Sequence, residues 1–207
     1  MKIKERKTKI AVFNPHRNYD FLPKISLLEG EDPIEVVEQY KLLGQIIRTD
    51  LKTISNTEYI CGKAFKRLWI VRPLKELGCE TGDLLDVMRQ QVISVLEQAV
   101  PYWGPLITKR ESNMIERVFK TGLHIIYQEQ YKTFTNALRL SKMKSLSSRR
   151  KDIIFKFIRR AIVNPKFESW FQTNQPTYTT RRTKPMYKKV ETRTVRYERS
   201  AFPSDVH

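Results

Sequence analysis

The feature that most constrains the fold is a change of hydrophobic pattern near Thr53. Before it, the run 36–51 is rich in β-branched, aromatic and aliphatic residues, which favour strands. Gly44 interrupts this run, and a glycine inside a strand pattern usually marks a bulge or a tight turn. The run therefore predicts a hairpin. Further short strands are predicted at residues 8–13 and 24–28. Together these strands predict a small antiparallel β-meander over residues 1–51.

After Thr53, apolar residues recur at spacings of three and four, which is typical of helices. Helices are predicted from Ser55 or Asn56 to about Val71, along the apolar stripe from Leu84 to Ala99, from Thr108 onward, from Tyr131 to Leu140, and from Ser147 or Ser148 to Asn164. Pro73 is expected to kink or end the first helix at Arg72. Thr108 and Glu111 have the spacing of a capping box. The predicted fold class is α+β, mainly α, with a helical bundle after the small sheet.

The positive charge lies almost entirely in the second half of the chain. Residues 1–104 hold 16 Lys and Arg against 14 Asp and Glu, whereas residues 105–207 hold 23 against 8. This excess favours a polyanionic partner, nucleic acid ahead of an anionic membrane, although a merely solvated surface is the simpler alternative. No apolar run approaches the roughly 18 residues of a membrane-spanning helix. Residues 173–207 lack an apolar period and predict a disordered basic tail.

Catalytic and metal-binding residues are not evident from the sequence. Nucleotidyl transfer needs carboxylates that hold two metal ions, and the chain contains no Asp-Asp pair. The adjacent acids Glu31 and Asp32 lie in a predicted turn, and the three histidines show no metal-ligand spacing. Cys61 and Cys79 are too few for a disulfide framework. We therefore predict neither a catalytic residue nor a metal ligand in this chain.

Several segments, in order and spacing, are similar to one polymerase family. They are Lys7–Phe13, Tyr40–Gly44 with Asp50-Leu51 after it, Lys63-Ala64, Ala99–Pro105 and Leu146–Arg150. In this order they resemble the palm end and thumb of a reverse transcriptase from a LINE-type, jockey-like non-LTR retrotransposon. The resemblance covers about residues 7–172. It implies a palm-end sheet over 1–51, thumb-like helices over 52–104 and a basic helical region over 105–172, before the tail at 173–207.

The resemblance also implies a function and a set of contacts. The primer grip of that family corresponds to Tyr40, Lys41, Leu42, Leu43 and Gly44. The predicted nucleic-acid contacts that follow from the resemblance are Lys63, Lys66 and Arg67. Charge placement, independently of the resemblance, predicts further contacts at Arg149, Arg150 and Lys151, in the first turn of a helix, where cations oppose the helix dipole. Tail cations interleaved with tyrosines predict contacts at Arg181, Arg182, Lys188 and Lys189, with a plain linker as the alternative. The expected partners are RNA and DNA as a template–primer duplex, together with the upstream part of the polymerase, and no membrane. The sequence does not indicate a location, and nuclear and cytoplasmic locations both stay open for an expressed chain.

The catalytic carboxylates of that family, which hold Mg²⁺, are expected upstream of Met1. The chain alone is therefore expected to lack polymerase activity and to hold no cofactor. Two alternatives remain open: a non-enzymatic nucleic-acid-binding module, and an inert pseudogene product.

Overall fold

The computed structural model describes residues 8–13, 25–26 and 33–171. Contacts group the chain into two compact units, residues 1–62 and 63–207. We call them the N-terminal unit and the helical unit. The described residues form a small antiparallel sheet followed by helices, which confirms the predicted α+β, mainly α, fold class.

The N-terminal unit contains the predicted hairpin. Strand β1 (Gln39–Leu42) pairs antiparallel with β2 (Gln45–Arg48). Leu43 and Gly44 connect them with φ of 48° and 82°, the two positive values of a type I′ turn. The predicted interruption at Gly44 is thus a two-residue turn.

The rest of the predicted meander is only partly described. Within the described residues the sheet has two strands, and the segment 8–13 contributes a single parallel bridge, from Ile10 to Val36. Of the predicted strand 24–28, only residues 25–26 are described, and the carbonyl of Ile25 accepts a hydrogen bond from Ile34 N at 2.8 Å.

Helix α1 (Ile54–Leu68) begins earlier than predicted. Thr57 N donates to Thr53 O at 2.9 Å, so Ser55 and Asn56 lie inside the first turn and neither of them caps the helix.

The predicted kink or end of the first helix lies earlier than Arg72. A short turn at residues 69–70 ends α1, and Arg72 is helical in α2 (Val71–Glu76). Pro73 lies in the first turn of α2, where a missing N–H is tolerated.

The predicted apolar stripe 84–99 forms a helical run with an unexpected centre. Helix α3 (Thr81–Val87) leads into a π-helical segment (Met88–Ile93), which leads into α4 (Ser94–Glu97). Ala99, with φ of 55°, separates this run from α5 (Val100–Trp103). The side chains of this run that face the core are almost fully buried, including Leu84, Met88, Val92 and Leu96.

The longest described helix, α6 (Lys109–Tyr127), is central to the helical unit. It follows a 3₁₀ turn (Gly104–Leu106) and packs against α2 and α3, and also against α7 (Phe134–Ser141) and α8 (Leu146–Ile162). Short 3₁₀ segments follow α6 (Gln128–Gln130) and α8 (Pro165–Trp170).

Two predicted helix boundaries are confirmed, and a third lies slightly earlier than predicted. The Thr108 hydroxyl accepts from Glu111 N at 3.2 Å while Thr108 N donates to the Glu111 carboxylate at 2.7 Å, which is a complete capping box. Helix α8 begins at Leu146 rather than at Ser147 or Ser148, and Ser145 Oγ caps it by accepting from Ser148 N. The helix ends at Ile162, just before Asn164, as predicted.

Candidate nucleic-acid interface

The hairpin tip displays apolar side chains to solvent. Leu42 is 49% exposed and Leu43 is 86% exposed. The left-handed backbone of Leu43 is unfavourable for a residue with a Cβ, by about 1–2 kcal/mol. A strained, exposed leucine gains nothing from burial within the described residues, and such strain concentrates at functional sites.

Behind the tip, a buried amide holds the hairpin against α1. The Oδ1 atom of Asn56 accepts from Ile46 N at 2.9 Å, and its Nδ2 donates to Gln45 Oε1 at 3.0 Å. Asn56 and Gln45 are 1% and 4% exposed. Because both bonds run between α1 and β2, the orientation of the hairpin on the helix is fixed.

Charged side chains on both strands of the hairpin interact with neighbouring side chains. Lys41 Nζ lies 4.6 Å from the centre of the Tyr59 ring, a cation–π contact. At the end of β2, Arg48 donates from Nε and Nη2 to the two carboxylate oxygens of Asp50, at 3.0 Å each. These bonds from Arg48 hold the pKa of Asp50 well below its usual range, although burial opposes the shift. Lys52 N adds a third donor to Asp50.

The predicted cations on α1 have different surroundings. Arg67 donates to the carbonyl of Gln91 in the π-helical segment at 3.0 Å, so it has a structural partner. Within the described part of the chain, Lys66 makes no hydrogen bond or ion pair. It lies in the last turn of α1 together with Phe65, and Trp69 follows directly after the helix; the two aromatic side chains are 40% and 71% exposed. The chain around this helix end therefore exposes both aromatic and cationic side chains. Lys63 is half-buried.

The predicted cations at the start of α8 are partly engaged with the protein. Arg149 donates to both carboxylate oxygens of Glu97, at 2.5 and 2.8 Å, and this raises the pKa of Arg149. Arg150 is 4% exposed, and its Nη2 donates to Ser112 Oγ at 2.5 Å. Lys151 is exposed. Since Glu97 neutralises Arg149, the free positive charge at this helix start is smaller than the sequence indicates.

The predicted tail contacts, Arg181, Arg182, Lys188 and Lys189, lie outside the described residues. Within residues 8–13, 25–26 and 33–171, no three His, Cys, Asp or Glu side chains cluster in a way that could hold a metal ion. No helix in those ranges combines the length and apolar character needed to cross a bilayer.

The sequence gives no signal for the polar partners of the predicted contacts. In the N-terminal unit, Gln45 and Asn56 are recognisable only as part of a strand and of a helix start. In the helical unit, Glu97 and Ser112 have no recognisable role. Glu97 lies 52 residues from Arg149 in sequence, and no local spacing signals such a pair. Three comparisons, with protein-family models, with curated proteins and with solved structures, found no match to this chain.

Proposed function

We propose that this chain supplies primer-grip and thumb contacts of an RNA-directed DNA polymerase of the LINE-type retrotransposon kind. In this proposal the hairpin tip holds the primer end, and the exposed face of α1 follows the template–primer duplex. The residues involved bind and position nucleic acid, and no catalytic step is assigned to them.

One observation carries the proposal: the hairpin is rigidly supported from behind and apolar at its tip. Asn56 and Gln45 fix its base, while Leu42 and Leu43 project into solvent. A rigid hairpin with an exposed apolar tip can press on the sugar and base of a terminal nucleotide without reading its sequence. Lys41, exposed beside the tip, can approach a phosphate.

The last turns of α1 support the same proposal. Lys66 can contact a phosphate, while Phe65 and Trp69 offer apolar surface to sugars and base edges. Phosphate contacts position a protein on a duplex without specifying sequence. Binding should therefore weaken with salt and depend little on base sequence.

The first test separates hairpin stability from binding. Leu43→Gly removes the apolar tip and relieves the left-handed strain, so the hairpin should be as stable as before or more stable. Affinity for a duplex with a recessed 3′ end should nevertheless fall by about tenfold or more, because burying a leucine contributes about 1.5–3 kcal/mol. The measurement is fluorescence anisotropy of a primer–template duplex.

The control is Leu77→Ala, since Leu77 is 79% exposed and lies outside the hairpin. Its affinity should be unchanged. A photoreactive residue at position 43 should crosslink to the last few primer nucleotides, whereas one at position 77 should not. Equal crosslinking from both positions, or crosslinks spread evenly along the duplex, would contradict the proposal.

The distribution of charge favours a second candidate function, a nucleic-acid-binding module that works without a polymerase. Residues 105–207 carry 23 Lys and Arg against 8 Asp and Glu, and they do not include the hairpin. For such a module, a recessed 3′ end gives no advantage over a blunt duplex, and Leu43→Gly has no effect. The anisotropy experiment therefore distinguishes the two functions.

A further inference from the structure

We propose that a cavity between the starts of α6 and α8 binds a nucleoside phosphate carried by single-stranded nucleic acid. The cavity has a volume of about 690 Å³ and lies beside the 3₁₀ turn Gly104–Leu106. Ligand sites commonly occupy about 300–1,000 Å³. All of its lining residues belong to the helical unit, so the site is independent of the hairpin and of its proposed role.

The polar side of the cavity is rich in hydrogen-bond donors. Lys109 and Lys151 line it, and neither ammonium group has a hydrogen-bond or ion-pair partner within the described residues. Ser112 Oγ accepts from Arg150 Nη2, which leaves the hydroxyl hydrogen of Ser112 available for an acceptor on a ligand. Arg150, almost fully buried, is a positioning residue that fixes Ser112 in place.

One acidic side chain, Asp152, lines the described part of the cavity. Its carboxylate accepts from Lys144 Nζ at 2.7 Å, and this bond lowers the pKa of Asp152. Because Lys144 neutralises the charge of Asp152, the lysines give the cavity lining a net positive charge. A ligand with several anionic or acceptor oxygens, such as a phosphate, fits this balance.

The proposal rests on these side chains and not on the helix ends. At the start of α6, the backbone N and the hydroxyl of Thr108 both donate to the Glu111 carboxylate. At the start of α8, Ser147 N donates to Glu116 Oε1 at 2.6 Å, and Ser148 N donates to the Ser145 hydroxyl. These helix-end amides therefore have partners within the protein.

Apolar and aromatic residues also line the cavity. Ile107, Ile154 and Phe155 line it, and the Phe155 ring is 50% exposed. The guanidinium of Arg159 lies 5.0 Å from the centre of that ring. An aromatic face beside a cation is suited to stacking a base, and stacking tolerates any base. A nucleoside phosphate matches both kinds of lining residue at once, with the base on Phe155 and the phosphate between the two lysines.

The test uses the full chain and four probes: a short single-stranded oligonucleotide with a terminal phosphate, AMP, adenosine and inorganic phosphate. Affinities are measured by isothermal titration calorimetry. Phe155→Ala should weaken the oligonucleotide by roughly 5- to 150-fold, the range expected for losing one stacked base, and should leave inorganic phosphate unaffected. The double variant Lys109→Ala/Lys151→Ala should weaken each phosphate-bearing probe and leave adenosine unaffected.

Matched variants control for bulk charge and for loss of an aromatic ring. Lys132→Ala/Lys166→Ala removes the same charge from exposed positions outside the cavity lining, and Phe157→Ala removes a neighbouring ring of α8 that does not line it. Both should retain wild-type affinity.

The probes also identify the source of the ligand. Tighter binding of the oligonucleotide than of AMP supports the single strand, whereas equal binding assigns a free nucleotide to the same cavity. Changes in the NMR chemical shifts of the backbone amides of residues 107–112 and 147–155, on titration with these probes, would support either result. If the control variants lose as much affinity as the cavity variants, or if no probe shifts those amides, the proposal is overturned.

Discussion

Replacing Asn56 with alanine should loosen the hairpin while the rest of the fold persists. The side chain of Asn56 is 1% exposed and makes two hydrogen bonds to β2. Asn56→Ala leaves Ile46 N and Gln45 Oε1 without these partners. A buried polar group left unsatisfied costs about 1–3 kcal/mol. Because Ile46 is only half-buried and water can reach it, we expect a total cost of about 2–4 kcal/mol.

The assay is hydrogen exchange followed by mass spectrometry, with a peptide that spans residues 39–48. At about 1.4 kcal/mol per tenfold change, protection of the hairpin amides should fall by roughly 30-fold to several hundredfold. Amides of α8 should keep their protection, since Asn56 contacts β2 and not that helix. Asn113→Ala, an exposed change on α6, is the control and should alter neither region.

A second variant, Gln45→Leu, tests whether the loss of hydrogen-bond partners by buried polar groups is what destabilises the hairpin. Gln45 Nε2 is buried and has no hydrogen-bond partner within the described residues. Gln45→Leu leaves Asn56 Nδ2 without its acceptor but also removes the unpaired donor of Gln45. Because these two effects oppose each other, the net cost should be only about 1 kcal/mol. Unchanged hairpin protection in Asn56→Ala, or a larger loss in Gln45→Leu, would refute the assigned role of the Asn56 amide.

Three other experiments test further contacts. In a double-mutant cycle by chemical denaturation, Glu97→Gln and Arg149→Met should show a coupling of about 1–2 kcal/mol, because each single change breaks a charge-assisted pair; additive effects would contradict that. The depressed pKa of Asp50 means that its stabilisation is present above the unfolded pKa of about 4 and is lost as the pH falls toward the folded value. Hairpin protection should therefore decrease on acidification below about pH 4, and Asp50→Asn should abolish this pH dependence. Thr108→Ala should lower the free energy of unfolding by about 1 kcal/mol through loss of the cap, and an unchanged denaturation midpoint would count against the capping box.

The sequence alone determined features that depend on neighbours along the chain. The change of pattern near Thr53, the turn at Gly44 and the capping box at Thr108 and Glu111 are each fixed within a few residues. Their physical basis is local, because side chains alternate along a strand and repeat about every 3.6 residues along a helix. The structure confirms the predictions made at this level for the fold class and for several helix boundaries.

Local rules failed where two local preferences competed. Pro73 disfavours a helical residue before it, yet Arg72 is helical, because the chain had already turned at residues 69–70 and Pro73 is tolerated in a new first turn. Asn56 has the side chain of a good cap, but its amide bonds to β2 instead. For Pro73 the place in a new first turn removed the conflict, and for Asn56 the bonds to β2 outweighed a weak local preference.

Only the tertiary structure decided which polar groups meet. Asn56 lies 11 residues from Gln45, and Arg149 lies 52 residues from Glu97, so neither pair has a signature in local spacing. The same holds for the cavity between α6 and α8, whose lining comes from separate segments of the chain. Such contacts form only after packing of apolar faces sets the distance between elements. The sequence therefore specified which groups are present, and the packing specified which of them are paired and which remain available to a ligand.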